Sequence, residues 1–290
     1  MPKVAISGST GFIGKQLIDY LLRCGYEIIA ISRNDFANQG KQLAKIINSA
    51  DVILNLAGSS VLCRWNTRNK QQIFSSRIDT TRLLADAVRK NSPELGPKVF
   101  INASATGIYA NEGVHDESSR EFGSDFLASV CESWEGETDI LNGLNLRLCI
   151  IRTGIVLGST GGSLKKMLPL FRAGIAGRIG SGKQSFSFIH ITDFCRAIEH
   201  LIDNPHSSGI YNMVSPEPTT NKQFTDVLAH CLHRPAIFPV PEFALKLIYG
   251  EGAGLLTKGV AVKPAHLLDE GFQFKYPDIA TALSDLVQKR

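Results

Sequence analysis

Val4-Ala5-Ile6-Ser7, running on into Gly8-Ser9-Thr10-Gly11-Phe12-Ile13-Gly14, is the stretch that decides the fold of this chain. An apolar strand passes directly into a G-x-x-G-x-x-G turn and then into a segment of helical period. Such a turn is built to hold a dinucleotide pyrophosphate. Gly8 permits the tight turn, Gly11 lets the backbone approach the phosphates, and Gly14 lets the helix pack closely on the strand. Ser9, Thr10, Phe12 and Ile13 complete the turn, and the helix start offers N–H groups and a positive dipole end to an anion. The plainer alternative is an ordinary strand-to-helix turn, but the context is right on both sides.

Outward from this turn, strand and helix patterns alternate. Phe12 to Cys24 reads as a helix with Leu17, Leu21 and Leu22 on one face and Gly25 as its stop. Tyr26 to Ile31 is a strand, Gln42 to Ile47 a short helix, and Val52 to Ala57 a strand. A long helix carries Ile73, Ile78, Leu83, Leu84, Ala87 and Val88. Val99 to Ala103, Phe126 to Leu141 and Leu144 to Ile151 read as strand, helix and strand. This alternation predicts an α/β fold, a doubly wound parallel sheet of Rossmann type with helices on both faces. Beyond Arg152 the chain turns glycine- and proline-rich, from Gly158 to Gly162 and at Pro216, Pro218, Pro235, Pro239, Pro241 and Pro264. Residues 1–157 are therefore expected to form the nucleotide-binding domain. Residues 158–290 should complete the sheet and form a smaller substrate or lid portion.

Composition sets bounds on function. At 290 residues, 43% hydrophobic and 20% charged, the chain suits one or two globular domains. A net charge of +4, spread along the chain, fits an anionic cofactor or substrate and is too weak to argue for nucleic acid. No stretch approaches the roughly 18 consecutive apolar residues of a membrane span. The first strand begins almost at once, so neither a signal peptide nor a membrane partner is expected. Six single cysteines without C-x-x-C spacing suggest reduced thiols in a cytoplasmic protein. His230 and His233 flank Cys231 with no further ligand in view, so no metal is expected.

The ribose selector of this fold stands about 20 residues beyond the glycine turn, at the end of the second strand. Here those positions hold Ser32 and Arg33 rather than an acid. A hydroxyl and a guanidinium suit a 2′-phosphate through charge-assisted bonds, which favours NADP(H) over NAD(H). The alternative is that Arg33 is a solvated surface arginine and Asp35 does the selecting.

Together with the glycine turn, four segments resemble the short-chain dehydrogenase/reductase superfamily in its extended, nucleotide-sugar-epimerase-like form. They are Asn55-Leu56-Ala57-Gly58, Ser104, Arg152 to Gly158, and Phe188-Ile189-His190-Ile191-Thr192-Asp193. More closely, the chain resembles an atypical branch of NAD(P)-dependent oxidoreductases and nucleoside-diphosphate-sugar epimerases, nearly end to end. Arg64-Trp65, Ser76-Arg77-Ile78, Ser104 to Tyr109, Gly180-Ser181-Gly182, Asn212 to Pro216 and Lys263-Pro264 carry that likeness. The resemblance implies pyrophosphate at Gly8 to Gly14, 2′-phosphate at Ser32 and Arg33, and adenosine beside Leu56, Ala57 and Gly58. It also implies a phosphate or ribose contact at Arg77, nicotinamide near Val156, and substrate contacts at Arg152 and His190. Leu56 and Ala57 as strand-end core, and Arg77 as a helix-surface charge, are the bland alternatives.

The superfamily's chemistry rests on a Tyr whose pKa a Lys four residues later depresses, because free tyrosine titrates near 10. None of the six tyrosines is followed by such a lysine, and Phe126 and Val130 stand where the pair belongs. Two functions remain open. One is an NADP-dependent, epimerase-like oxidoreductase acting on a small molecule, including phosphate- or nucleotide-bearing ones, as a monomer or homodimer. Ser104 would then bind the reacting oxygen, Tyr109 would be the substitute acid/base, and His190 would position substrate. The other is a non-catalytic NADPH-binding sensor, with Tyr109 a packing residue and His190 fixing the loop before the Thr192-Asp193 helix start. Lys165, Lys166, Arg172 and Arg178 form either a solvated basic face or an anion contact. Finally, Asn34 to Ala50 is too polar and helical for the further edge strand of extended members, which predicts a missing strand and an open adenine pocket.

Overall fold

The structure, a computed structural model, describes residues 1–36, 41–90 and 96–288. Its first half alternates as the sequence predicts: β1 (Lys3–Ser7), α1 (Phe12–Arg23), β2 (Glu27–Ile31), α2 (Lys41–Ser49), β3 (Val52–Asn55), α3 (Thr67–Arg89), β4 (Val99–Ala105), β5 (Val114–His115), α4 (Phe126–Gly136) and β6 (Arg147–Thr153). The second half contains β7 (Ile155–Leu157), α5 (Gly162–Arg172), β8 (Phe188–His190), α6 (Ile191–Asp203), β9 (Gly209–Met213) and α7 (Asn221–Leu232). It ends with α8 (Glu242–Tyr249), α9 (Gly254–Thr257), β10 (Ala261–Val262), α10 (Ala265–Asp269) and α11 (Ile279–Gln288).

Six strands form one parallel sheet in the order β2-β1-β3-β4-β6-β9. Alternation along each strand divides its side chains between two layers. Val4, Ile6, Val52, Leu54 and Ile101 pack with Leu17 and Leu21 of α1 and Phe194, Ala197 and Ile198 of α6. Ala5, Ile53 and Phe100 pack with Leu43 and Ile47 of α2 and Leu84, Ala85 and Val88 of α3. A separate core joins Leu157, Leu164 and Phe171 to Phe224 and Leu228 of α7 and Ala282 and Leu283 of α11.

Three boundaries differ from expectation. The helix begun at Phe126 ends at Gly136, and Asp139–Leu141 forms a separate 3-10 turn. The following strand starts at Arg147, after the left-handed turn at Gly143, and runs on to Thr153 because β9 pairs with it there. The strand begun at Val52 stops at Asn55, where the chain leaves its partners. In the segment expected to lack a strand, Arg33–Phe36 is a 3-10 turn and Lys41–Ser49 is α2, while residues 37–40 lie outside the described residues. Among the described residues, β2 forms that edge of the sheet.

Register sets two polar rows across the carboxyl ends of the strands. Ser7 pairs with Asn55 and Asn55 with Asn102, while Ser104 pairs with Arg152 and Arg152 with Asn212. In the first row Ser7 donates to Asn55 Oδ1, and Asn55 Nδ2 donates to Thr81 Oγ1 (2.7 Å) and Asn102 Oδ1 (2.8 Å). Trp134 Nε1 closes the set on Thr81 Oγ1 at 2.8 Å. All of these hydrogen bonds are buried, so removing one member strands the others. Asn55→Ala is expected to cost about 3 kcal/mol of unfolding free energy in urea titration, several times the effect of an exposed Asn→Ala change.

Candidate functional site

The glycine turn packs on backbone at both ends. Gly8 has φ +74°, and a Cβ there would lie 2.6 Å from the Leu56 carbonyl oxygen. A Cβ on Gly14 would lie 2.3 Å from the Gly8 oxygen, so α1 packs directly on the turn. Gly11 donates its N–H to the Gly8 carbonyl (3.1 Å) and caps α1 without a side chain. A Cβ on Gly11 would approach only that carbonyl, at 3.3 Å, leaving its other side open. A positive helix end beside an uncluttered backbone fits a dinucleotide pyrophosphate. Ser9 is half-buried, Thr10 is exposed, and Ile13 packs against the central core. Phe12 turns away toward the second half of the chain. Cβ atoms on Gly158, Gly161 or Gly162 would come within 2.4, 2.3 and 3.2 Å of its ring, which explains the glycines there.

At the end of β2, the Ser32 N–H and hydroxyl both donate to Asp35 Oδ2 at 2.7 Å, while Arg33 is exposed. Asp35 therefore closes the turn that presents Arg33. After β3, the Ala57 N–H donates to Asn55 Oδ1 (3.3 Å). Beneath the next residues lies Arg77. Its Nη1 donates to the Ile73 carbonyl and its Nη2 to the Ser59 carbonyl, each at 3.0 Å, with the guanidinium 5.1 Å from the Trp134 ring centre. A Cβ on Gly58 would touch Arg77 Cζ at 3.0 Å. Burial lowers the Arg77 pKa. Arg77 thus braces the Leu56–Ser59 turn from below.

Ser104, Tyr109 and Arg152 are brought together, around an acid that sequence reasoning missed. Glu135 of α4 accepts Ser104 Oγ (2.6 Å), Arg152 Nε (2.9 Å) and Arg152 Nη2 (2.7 Å). Arg152 Nη1 donates to the Tyr109 hydroxyl at 3.0 Å, and that hydroxyl donates to Asn212 Oδ1 at 3.0 Å. Asn212 and Ala265 in turn donate their N–H groups to the buried Glu117 carboxylate, at 2.8 and 3.0 Å. Arg152 and Tyr109 are each only 2% exposed. Burial lowers the Arg152 pKa, but the hydrogen bonds and charge of Glu135 outweigh it, and the net shift is upward. Burial raises the Tyr109 pKa despite the opposing Arg152, so the phenol stays protonated at neutral pH. Asn212 stood inside a matched segment and Glu135 only within the helix read from Phe126 to Leu141, and no spacing rule marks either as a partner of Arg152 or Tyr109.

The remaining expected residues lie apart from this network. His190 caps α6, its Nδ1 accepting the Thr192 N–H at 3.0 Å, with its ring 3.9 Å from that of Tyr276 and its Nε2 3.3 Å from Asp285 Oδ2. Val156 is buried and pairs with Ile189. Phe126 sets its ring edge-on to Trp65 at 5.2 Å, while Val130 is buried in the core, and neither can move a proton. Among the described residues, no group of three or more His, Cys, Asp or Glu is placed to hold a metal, and no helix is long and apolar enough to cross a membrane.

Fold and crevice define a Rossmann-type protein of the short-chain dehydrogenase/reductase class. The family model for NAD dependent epimerases and dehydratases matches residues 4–214, and a domain of unknown function (DUF1731) matches residues 240–286. The chain belongs to the NAD dependent epimerase/dehydratase family. It is 34% identical to the chloroplastic epimerase family protein SDR39U1 homolog of Arabidopsis thaliana, over 98% of this chain and 86% of that protein. It is 35% identical to the epimerase family protein YfhF of Bacillus subtilis, over 99% and 98%. The crystal structure of the human epimerase family protein SDR39U1 with NADPH superposes with a TM-score of 0.92 at 33% identity, covering 99% of this chain and all of that one.

Removing one partner of a buried ion pair leaves the other charge uncompensated. Glu135→Ala is therefore expected to cost about 3–5 kcal/mol in urea-induced unfolding, against about 2 kcal/mol for Tyr109→Phe, which strands one Arg152 N–H and the Asn212 oxygen but leaves no charge unmatched.

Proposed function

We propose that this chain binds NADP(H) along the carboxyl edge of β1, β3 and β4 and is an epimerase-like oxidoreductase acting on a small molecule. The observation that carries the proposal is the N-cap of α1 at Gly11, bare of any side chain, in a turn whose Gly8 packs on the Arg77-braced segment after β3. Gly8 to Gly14 would hold the pyrophosphate and Ser32 with Arg33 the 2′-phosphate. Leu56, Ala57 and Gly58 would flank the adenosine, and Val156 would lie toward the nicotinamide. NADPH in the human relative's crystal structure supports the choice of NADP(H). The family's epimerase names support a phosphate- or nucleotide-bearing substrate, and residues 158–290 are the portion proposed to meet it. Six free thiols support a reducing, cytoplasmic setting.

When bound, the nicotinamide supplies a hydride donor or acceptor. The chain's own contribution is positional. Ser104 commits its hydroxyl hydrogen bond to Glu135, and Tyr109, raised in pKa and bonded on both sides, stays protonated at neutral pH and is no base there. We assign both, with Arg152, to holding the floor of the crevice, and His190 to fixing the start of α6. The second reading, an NADPH-binding sensor without turnover, is favoured by Phe126 and Val130 standing in place of the proton-relay pair.

Titration of NADPH fluorescence is expected to show that Arg33→Ala weakens NADPH by about tenfold, the loss of one charge-assisted phosphate contact, while NADH is little affected. Equal weakening of both cofactors would remove Arg33 from the 2′-phosphate site. With NADPH and a panel of ketones and sugar nucleotides followed at 340 nm, Tyr109→Phe is expected to keep turnover within about threefold of the parent, because no proton passes through it. Tight binding with no turnover across the panel would decide for the sensor.

A further inference from the structure

Helices that cross over between parallel strands begin at the carboxyl edge of the sheet. Trp65, just before α3, Lys70, in its first turn, and Phe126, the first residue of α4, therefore all stand at the rim of the crevice. The Phe126 and Trp65 rings meet edge to face at 5.2 Å and make an apolar wall. One cation lies on that wall: Lys70 Nζ is 5.2 Å from the centre of the Phe126 ring. The first turn of α3 carries no acid. Lys70 is instead met at 2.5 Å by Glu251, 181 positions away in the sequence.

The two partners differ in how firmly they are held. Lys70 is 30% exposed and rests on an aromatic face, whereas the Glu251 side chain is 70% exposed. The backbone around Glu251 is fixed. Trp65 donates its N–H to the Tyr249 carbonyl and Arg64 Nη1 donates to the Leu247 carbonyl, each at 3.3 Å. A Cβ on Gly252 would lie 2.7 Å from the Cys63 carbonyl oxygen. The Arg64-Trp65 pair thus locks Glu251 within reach of Lys70 while leaving its carboxylate in water. An ion pair with so exposed an acid is weakly held and open to competition.

We propose that Lys70 is the anchor for an oxyanion on an apolar, planar substrate, and that the Glu251 carboxylate occupies this anchor until the substrate displaces it. The substrate body lies against Phe126 and Trp65, and its carboxylate or comparable oxyanion takes the place of Glu251 on Lys70. This assignment rests on the crevice being the NADP(H) site, and it narrows the substrate class to anions with an apolar face.

The test is calorimetric titration of the protein saturated with NADP⁺, using 1-naphthoate and its neutral counterpart 1-naphthalenemethanol. Naphthoate is expected to bind, and Lys70→Met to weaken it at least about tenfold while changing the alcohol less than about twofold. Glu251→Gln removes the competing carboxylate and is expected to tighten naphthoate severalfold. The proposal is overturned if naphthoate does not bind the NADP⁺ complex or if Lys70→Met leaves its affinity unchanged. It is equally overturned if Glu251→Gln leaves naphthoate unchanged or weakens it, which would make Glu251 a tether for its loop. Each protein is first titrated with NADP⁺. Failure of the parent protein at that step overturns the nucleotide reading, whereas normal NADP⁺ binding without the naphthoate pattern overturns only the anchor.

Discussion

The buried ion pair between Arg152 and Glu135 is the constraint around which the rest of the crevice is arranged. A guanidinium 2% exposed at the end of β6 is untenable without a partner, and Glu135 meets it with two hydrogen bonds. Once that carboxylate is fixed, Ser104 on the neighbouring strand donates to it and the Tyr109 hydroxyl accepts from Arg152 Nη1. Parallel pairing in register then extends the set to Asn212 on β9. Beside it, the row of Ser7, Asn55 and Asn102 is satisfied in the same way. The crevice therefore has a polar floor whose members are bonded chiefly to one another, and in a low-dielectric interior such a floor is rigid.

That rigidity separates recognition from chemistry. Under the proposed function, the groups left to meet a dinucleotide are the backbone of the glycine turn, the turn after β3 and the exposed Arg33. Of these, the turn after β3 touches the floor through the Ala57 N–H on Asn55 Oδ1. Ser104 and Tyr109, the side chains nearest in type to a proton relay, are both hydrogen-bonded within the floor. Phe126 begins α4 with a ring that has no proton to give. Under the proposed function, chemistry here relies on the cofactor and on placement, so substrate anchoring counts for more than acid–base power.

The fold was legible because its signals are local. Gly8 and Gly14 are demanded by contacts within a few residues of themselves and with one adjacent turn, and the alternating apolar segments need only their own periodicity. Boundaries were less legible where tertiary pairing overrides pattern. The strand ending at Thr153 is prolonged by β9, which lies more than fifty residues later in the chain. The floor was hardly legible at all. Arg152 and Tyr109 were visible as candidates, but Glu135 sits on a helix and Asn212 on a distant strand, and only the register brings them into contact. Arg77 illustrates the same limit: helical position gives either a solvent charge or a ligand contact, and its use as a brace under Gly58 depends on a turn in another element.

The second half of the chain is tied together at His190 and bears on the glycine turn through Phe12. His190 accepts the Thr192 N–H hydrogen bond at Nδ1 and turns Nε2 toward Asp285 of α11. The ring thereby joins the start of α6 to the C-terminal helix. Phe12 makes the reciprocal contact from the other side. It belongs to the first turn of α1, yet its ring fills the space left by Gly158, Gly161 and Gly162 at the start of α5. Any side chain at Gly161 would press on Phe12, and through it on the backbone that begins α1. A displacement of α5 would be felt in the same place. The chain from Gly158 to Gly162 is therefore a structural support of the turn on which the fold is founded, and its glycines are constrained by Phe12 as Gly14 is by Gly8.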